Sequence, residues 1–209
     1  MNNVIIAIDG PAGSGKSTVA RAIAGRLGFL YIDTGAMYRA LTLKAMRERL
    51  DLKDGPSLIS MAESARIELK EESGIPAVFL DGEDVTALIR TNELTNNVKY
   101  DASVPGVRAV MVRMQRAIGE KRSSVLEGRD IGTVVFPDAE YKFYLDADVA
   151  ERAKRRRKDL LAAGADPGLE EIKRDMSARD DSDMSRAVGA LKKARDAVFI
   201  DTTFLTADE

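Results

Sequence analysis

One glycine-rich segment near the amino terminus constrains the fold of this chain more than any other feature. Residues 10–17 have the spacing G-x-x-x-x-G-K-S, and they separate two stretches of different periodicity. Residues 4–9 are an apolar run typical of a buried strand, whereas residues 17–27 repeat apolar side chains at helical spacing. A strand, a glycine-rich loop and a helix in this order predict a phosphate-binding loop at the edge of an α/β sheet.

The residue types of this loop suit the phosphate groups of a nucleoside triphosphate. Glycines let backbone N–H groups approach phosphate oxygens closely, and the following helix adds the positive end of its dipole. Lys16 supplies a cation for the outer phosphates, and the Ser17 hydroxyl can ligate Mg²⁺. The alternative interpretation is a glycine-rich turn that binds nothing. The residues predicted to surround the triphosphate are Gly10, Pro11, Ala12, Gly13, Ser14, Gly15, Lys16, Ser17 and Thr18.

The composition excludes several kinds of chemistry. The 209 residues contain no cysteine, which excludes disulfides and thiolate zinc sites and suits a cytoplasmic protein. They also contain no histidine, which leaves carboxylates, cations, backbone dipoles and Mg²⁺, a set that suffices for phosphoryl transfer. A net charge of −2 and 5% aromatic residues argue against nucleic-acid binding. No apolar run approaches ~20 residues, so no membrane-spanning helix is expected.

The remaining sequence predicts a doubly wound, five-stranded parallel sheet, because helical stretches separate five apolar runs. One of these helices is predicted on residues 36–50, and the last one is predicted to end near residue 180. The five runs are residues 4–9, 29–33, 124–127, 142–145 and 197–200.

Between residues 51 and 91 the alternation of apolar strands and helices is interrupted. Short alternating runs, a turn at Ser73-Gly74 and a hairpin signal at Asp81-Gly82 predict a small inserted antiparallel β lobe. We therefore expect a phosphate-loop core on residues 1–50 and 92–209, a helical lid at about residues 148–168 within it, and an inserted lobe on residues 51–91.

Several arginines stand where they could bind a second anion, although a solvated surface charge is the alternative for each. Arg129 is the strongest candidate, because Gly128-Arg129-Asp130 follows a predicted core strand at the sheet edge that carries the phosphate loop. Guanidinium groups grip phosphate oxygens in a bidentate manner, so converging arginines would hold a second phosphate compound. The candidates are Arg39, Arg108, Arg129, Arg179 and Arg186.

A basic run on residues 152–158 and several aspartates leave further alternatives open. The basic run is either a solvated helical face or a mobile lid whose arginines close over the phosphates. Asp33, Asp130 and Asp183 are either caps and turn formers or functional groups, and Asp33 could be a general base for an alcohol acceptor. An acceptor that is itself a phosphate is already ionised and needs no base.

Six blocks of sequence, in order along nearly the whole chain, are more specific than the phosphate loop alone. They are IDGPAGSGKST at residues 8–18, DTGAMYR at 33–39, LDGEDV at 80–85, IRT at 89–91, GRDIGTVVFPDA at 128–139 and IDTT at 200–203. Together these blocks resemble the bacterial cytidylate kinases.

The resemblance implies transfer of the outer phosphate of ATP to CMP or dCMP, with Mg²⁺, in a nucleoside monophosphate kinase fold. It implies that the residues around the loop bind ATP, that Ser17 positions the metal ion, and that the inserted lobe belongs to the acceptor side. The residues implied to be catalytic are Lys16, Arg129, Arg155 and Arg156. Those implied to bind CMP are Thr34, Arg39, Lys99, Arg108, Arg129, Asp130, Arg179, Asp183 and Arg186.

Within this set, Arg39 and Arg129 match positions that hold the acceptor phosphate. Thr34, Arg108, Asp130 and Arg186 match positions near the cytosine, and Arg179 and Asp183 match positions near the sugar.

Three features depart from the pattern of the family. Lys99 stands where a serine near the sugar is usual, which leaves the preference for ribose or deoxyribose open. Ala190-Leu191 replaces the usual Pro-Leu pair, and the usual terminal helix has no counterpart, although residues 206–209 have the spacing of a capping box.

Two other functions remain possible at this point. One is a related kinase that acts on another nucleotide or a small alcohol, and the other is a nucleotide switch that binds partners. The sequence contains no Asn/Thr-Lys-x-Asp motif for reading guanine, which argues against the switch. The expected partners are ATP and CMP or dCMP, with no nucleic acid and no membrane, and a monomer is the default expectation.

Overall fold

The computed structural model describes residues 3–72, 75–162 and 164–209, so the turn predicted at Ser73-Gly74 lies outside the described residues. The strands are β1 (Ile5–Asp9), β2 (Leu30–Asp33), β3 (Ile67–Glu72), β4 (Ile75–Leu80), β5 (Glu83–Asp84), β6 (Ser124–Gly128), β7 (Tyr141–Asp146) and β8 (Val198–Asp201). The helices are α1 (Lys16–Leu27), α2 (Thr34–Arg47), α3 (Gly55–Ser64), α4 (Asn92–Ser103), α5 (Pro105–Gly119), α6 (Val149–Ala162) and α7 (Leu169–Met184).

Five strands form one parallel sheet in the order β2-β6-β1-β7-β8, which confirms the predicted α/β fold. The register pairs Asp33 with Glu127, and it pairs Asp9 with both Gly128 and Tyr144. The carboxyl ends of β2, β6, β1 and β7 therefore lie side by side. Open parallel sheets bind their ligands at this edge.

Helices cover both faces of this sheet, as expected for a doubly wound fold. Successive side chains of a strand point to opposite faces. Ile5 and Ala7 of β1 accordingly belong to the larger apolar core with α2, α3 and α5, whereas Ile6 and Ile8 pack with α1. Strand β1 is buried along its whole length.

The inserted segment forms the predicted antiparallel lobe. Strands β3, β4 and β5 make a separate three-stranded sheet, and Val78, Leu80 and Val85 join the same core as Met37 and Leu41 of α2. The lobe thus rests on α2. Because this core is shared, the boundaries at residues 51 and 91 stay a prediction.

Two helices differ from their predicted bounds. Helix α2 begins at Thr34, because the Asp33 side chain caps it by accepting from the Ala36 N–H at 2.8 Å. It ends at Arg47 and not at residue 50, because Arg49 adopts a left-handed φ of 54° and Leu50 N donates back to Ala45 O. Helix α7 continues four residues beyond the predicted end near residue 180, to Met184.

Two further expectations concern a membrane-spanning helix and a capping box at residues 206–209. No helix in the described part of the chain combines the length and the apolar composition that crossing a membrane requires. At the carboxyl terminus, Glu209 accepts from the Thr206 N–H at 3.0 Å, which is one of the two bonds of the expected capping box.

Candidate functional site

The phosphate loop joins β1 to α1, and three of its glycines have positive φ angles. Gly10 shows why glycine is required there: it has φ +149°, and a Cβ built on it would lie 1.9 Å from the Leu145 carbonyl oxygen of β7. Gly15, with φ +89°, is the residue before the first turn of α1. The unpaired N–H groups at the start of α1 therefore face the carboxyl edge of the sheet.

Lys16 is folded over the loop. Its Nζ donates to Pro11 O at 2.5 Å and to Ser14 Oγ at 3.3 Å, and the residue is only 5% exposed. Burial, together with the nearby Arg129 guanidinium, lowers the pKa of Lys16. An anion in the loop would offset both effects and favour the charged form.

Ser17, the first hydroxyl of α1, donates to Glu127 Oε2 at 2.8 Å. The other oxygen of Glu127 accepts from the Tyr31 hydroxyl. Glu127 is 5% exposed, and burial and the neighbouring Asp33 raise its pKa. Sequence reasoning missed Glu127 and Tyr31, although two acidic residues near the carboxyl ends of predicted strands, Asp33 and Glu127, were a usable signal.

This corner of the site fits Mg²⁺. A serine hydroxyl that donates its proton to a carboxylate keeps its lone pairs for a cation, and Mg²⁺ prefers oxygen ligands. Among the described residues no group of three or more His, Cys, Asp or Glu side chains could hold a metal ion by itself. Mg²⁺ is usually bound by one or two protein groups together with substrate phosphates.

At the same sheet edge as the loop, arginines converge around a buried aspartate. Arg129 Nε donates to Asp183 Oδ2 at 2.7 Å, and Arg186 donates to Asp183 Oδ1. Burial opposes the ionisation of Asp183, but Arg129 and Arg186 outweigh it and lower the pKa of the carboxyl. The bond between Arg129 and Asp183 thereby connects the carboxyl end of β6 to the last turn of α7.

Arg179 brings a further positive charge to this cluster. Burial and Arg129 lower its pKa to about 10, and Arg39 and Arg156 add to the effect through their charges. Arg39 itself is paired with Asp33 at 3.1 Å. A cation whose pKa is lowered by neighbouring cations gains stability when an anion binds beside it, so Arg179 marks a candidate anion site.

A second group of the predicted residues lies beside Tyr38 of α2. The Arg108 guanidinium lies 5.6 Å from the centre of the Tyr38 ring, and it donates to the buried Asp130 carboxylate. Arg186 also influences both Tyr38 and Asp130 electrostatically. Tyr38, which sequence reasoning did not select, therefore belongs with the predicted base-binding residues. Burial raises its pKa.

Thr34, Lys99 and the basic run complete the predicted set. Thr34 Oγ1 donates to Glu127 O at 2.7 Å, so it lies at the carboxyl end of β6. Lys99 Nζ lies 5.2 Å from the centre of the Tyr100 ring, and no contact within the described chain links it to the arginine cluster. Arg155 donates to Thr202 Oγ1 at 3.1 Å and to Thr202 O at 2.5 Å.

The basic run of α6 therefore combines both predicted alternatives, because some of its side chains are exposed to solvent and others lie near the arginine cluster. The Lys154 side chain is 64% exposed, whereas Arg156 approaches Arg179. The assignments of individual residues to ATP and CMP remain predictions.

A glycine loop between the first strand and helix of a parallel sheet, with arginines clustered at the same edge, is typical of P-loop phosphotransferases. Comparison with known proteins narrows this class. The family model described as cytidylate kinase matches residues 6–209. The chain belongs to the cytidylate kinase family, whose members phosphorylate nucleoside monophosphates.

Individual relatives agree with this assignment. The cytidylate kinase of Geobacillus sp. is 51% identical over 208 residues, covering 100% of this chain and 93% of that protein. The cytidylate kinase of Desulforamulus reducens is 52% identical, covering 98% of this chain and 91% of its own length. A bifunctional pantoate ligase/cytidylate kinase of Gloeobacter violaceus is 51% identical over 98% of this chain and 41% of its own length.

One solved structure, an uncharacterized protein from Eubacterium ventriosum, shares the fold. It has a TM-score of 0.50 at 14% identity, and the match covers 99% of this chain and 92% of that one. The predictions of a kinase and of nucleotide binding are confirmed by the family and its relatives.

Proposed function

We propose that this enzyme transfers the outer phosphate of ATP to CMP and dCMP by direct in-line displacement. The observation that carries this proposal is the arginine cluster around Asp183, which lies at the same sheet edge as the phosphate loop because Gly128 pairs with Asp9. A nucleotide kinase needs two phosphate sites close to each other, and we assign the phosphate loop to one and this arginine cluster to the other.

On the donor side, the backbone of residues 10–18 and the Lys16 ammonium hold the ATP phosphates. Ser17 would hold Mg²⁺, and its hydrogen bond to Glu127 would leave the lone pairs of the hydroxyl oxygen free for the ion. The bound ion supplies charge neutralisation at the transferring phosphate.

On the acceptor side, Arg39 and Arg129 hold the phosphate of the nucleoside monophosphate. Its phosphate oxygen is the nucleophile and is already ionised, so no protein base is needed. Asp33 is consistent with this, because its two carboxylate oxygens cap α2 and pair with Arg39. Arg129, Arg155 and Arg156 stabilise the charge of the transition state, for which Arg155 must release Thr202.

The base site favours cytosine. A carboxylate accepts from the exocyclic amino group of cytosine, whereas it repels the carbonyl oxygen that uracil carries at the same place. Asp130, oriented by Arg108, supplies that carboxylate, and Thr34 and Arg186 complete the pocket. Arg179, Asp183 and Lys99 face the sugar, and the monomer is the functional unit.

An assay that couples ADP formation to a spectroscopic signal, run with ATP and Mg²⁺ over a panel of acceptors, tests the proposal. The panel consists of CMP, dCMP, UMP, AMP and simple alcohols. We expect CMP and dCMP to give the highest kcat/KM. A higher value for an alcohol or for another nucleotide would favour a related kinase of different acceptor specificity, and tight ATP binding without turnover of any acceptor would favour a nucleotide switch.

A further inference from the structure

Arg152 connects the helix pair α6 and α7 to the phosphate loop. This arginine lies in the first turn of α6, and its side chain is 8% exposed. Its Nε donates to Ala147 O at 2.8 Å, and its Nη1 donates to Ala12 O at 3.1 Å and to Asp180 Oδ2 at 2.7 Å. One guanidinium group therefore joins the segment after β7, the phosphate loop and α7.

The backbone of the loop also packs directly against both helices. A Cβ built on Gly13, which has φ +76°, would lie 3.0 Å from Met176 Cε on α7 and 3.1 Å from Arg152 Cβ on α6. A packed interior of this density transmits displacements because it has no room to absorb them. A shift of the loop when a triphosphate enters would therefore move α6 and α7 with it.

Helix α7 extends from this contact into the acceptor cluster. Asp180 directly follows Arg179, and Asp183 lies one helical turn further on, where it accepts from Arg129 at 2.7 Å. Met176, Asp180 and Asp183 are all buried, as expected for residues that share one face of a helix. The same face of α7 thus contacts the phosphate loop through Met176 and the acceptor arginine through Asp183.

Asp180 depends on Arg152 for its neutralisation. Its Oδ1 is buried without a hydrogen-bond partner in the described part of the chain, and its Oδ2 accepts from Arg152. Burial raises the pKa of Asp180, and Arg152 opposes that rise. Because a buried charge that loses its partner is strongly destabilising, the two side chains must move together.

We propose that Arg152 and Asp180 are positioning residues that couple occupancy of the phosphate loop by ATP to the alignment of Arg179 and Asp183 around the acceptor nucleotide. This inference rests on the proposed function for the identity of the two ligands. Coupling between two sites is reciprocal, so bound ATP raises the affinity for CMP by the factor by which CMP raises the affinity for ATP. We expect a factor of about five or more.

Calorimetric titration of CMP into the protein, with and without saturating AMP-PNP and Mg²⁺, measures this factor. Asp180→Asn keeps the shape of the side chain but removes its charge, and we expect the factor to fall toward one while the affinity for CMP alone changes little. Arg152→Lys keeps the charge but cannot reach Ala12 and Asp180 together, so the same loss is expected. Asp181→Asn, exposed on α7, is the matched control and should keep the wild-type factor.

Three outcomes separate this inference from the proposed function. A coupling factor of one in wild-type protein that still phosphorylates CMP overturns the inference and leaves the function intact. The inference is also overturned if either Asp180→Asn or Arg152→Lys keeps the wild-type coupling factor. Circular dichroism verifies that the variant is folded, and one such variant is sufficient. Absence of CMP binding and turnover in wild-type protein contradicts the proposed function instead.

Discussion

At the scale of single residues, Glu127 controls the environment of the metal-binding hydroxyl. It accepts from Ser17 at 2.8 Å through one oxygen and from Tyr31 through the other, so its orientation is set from two sides. A carboxylate that accepts the proton of a ligating group makes that group a better ligand, and removing such a partner typically weakens metal binding by about 10- to 100-fold.

We therefore expect Glu127→Gln to require about ten times more Mg²⁺ for the same affinity for AMP-PNP. Calorimetric titration of AMP-PNP at a series of Mg²⁺ concentrations measures this without turnover. Tyr31→Phe, which keeps the charge of Glu127 and removes only one hydrogen bond, should show a smaller change in the same direction. An unchanged Mg²⁺ dependence in Glu127→Gln would remove Glu127 from the metal site.

Arg129 interacts with groups of both the donor side and the acceptor side of the site. It donates to Asp183 at 2.7 Å, and its charge acts on Lys16 and on Arg179. Loss of one preorganised donor to a developing charge costs about 2.7 to 4 kcal/mol of barrier, so Arg129→Ala should lower kcat by roughly 10²- to 10³-fold.

Steady-state kinetics with CMP and ATP check this expectation. Arg113→Ala, an exposed arginine of α5 with no described interaction, is the matched control and should have wild-type kinetics. Arg129→Ala with wild-type kcat and KM for CMP would show that the acceptor phosphate binds elsewhere.

At the scale of elements, a buried carboxyl joins α2 to α4. Asp101 of α4 is fully buried, and Thr42 of α2 lies within hydrogen-bond distance of both Asp101 Oδ2 and Tyr38 O. A hydroxyl has only one proton to donate. Both contacts are satisfied when Asp101 is protonated and donates to Thr42, which then donates to Tyr38 O.

This arrangement makes the contact between α2 and α4 sensitive to pH. Burial raises the pKa of Asp101 to about 6, so the folded protein retains this proton at pH values where the unfolded chain has lost it. The stability contribution is therefore present at low pH and is lost as the pH rises toward about 6. The pKa difference of about two corresponds to roughly 3 kcal/mol.

Asp101→Asn removes the titration and keeps a donor for Thr42. We expect the variant to gain stability relative to wild type between pH 5 and pH 8, by an amount on the order of 1 to 2 kcal/mol within this range. Urea unfolding at both pH values measures the gain, and Asp175→Asn on the exposed face of α7 provides the control. The same difference between variant and wild type at both pH values would show that Asp101 is ionised in the folded protein throughout.

The elements themselves were largely predictable, because their signals are local. The phosphate loop, the five parallel strands and the antiparallel lobe follow from periodicity and turn residues within short windows. Glu127 was missed because its partner Ser17 is 110 residues away, and the register of two strands brings them together. The end of α2 was misplaced because a left-handed Arg49 stops it, and nothing in the sequence marks arginine for that conformation.

The candidate site shows the same division. The arginines were found because Gly128-Arg129-Asp130 follows a core strand and because the motifs resemble a family. Their pairing with Asp183, and the position of Lys99 over Tyr100, depend on how α4 and α7 pack, which local patterns do not contain. Arg152 was one member of a basic run until its burial against Ala12 and Asp180 distinguished it.

At the scale of the whole molecule, several arginines lie close together around the buried carboxylate of Asp183. Arg129, Arg39 and Arg156 all depress the pKa of Arg179, and Arg129 does the same for Lys16. Mutual repulsion of this kind disfavours the folded state, and a bound phosphate relieves it. Ligand binding should therefore stabilise the entire fold through the phosphate more than through the base.

We expect CMP at about 100 times its Kd to add about 2.7 kcal/mol to the free energy of unfolding, which raises Tm by roughly 5 to 11 °C for a chain of this size. Cytidine at the same concentration has the same base and sugar but no phosphate, so it should raise Tm far less. Differential scanning calorimetry of the protein with each compound measures both shifts. Equal shifts for CMP and cytidine would mean that the base and sugar dominate binding, and that the arginines around Asp183 do not form the acceptor phosphate site.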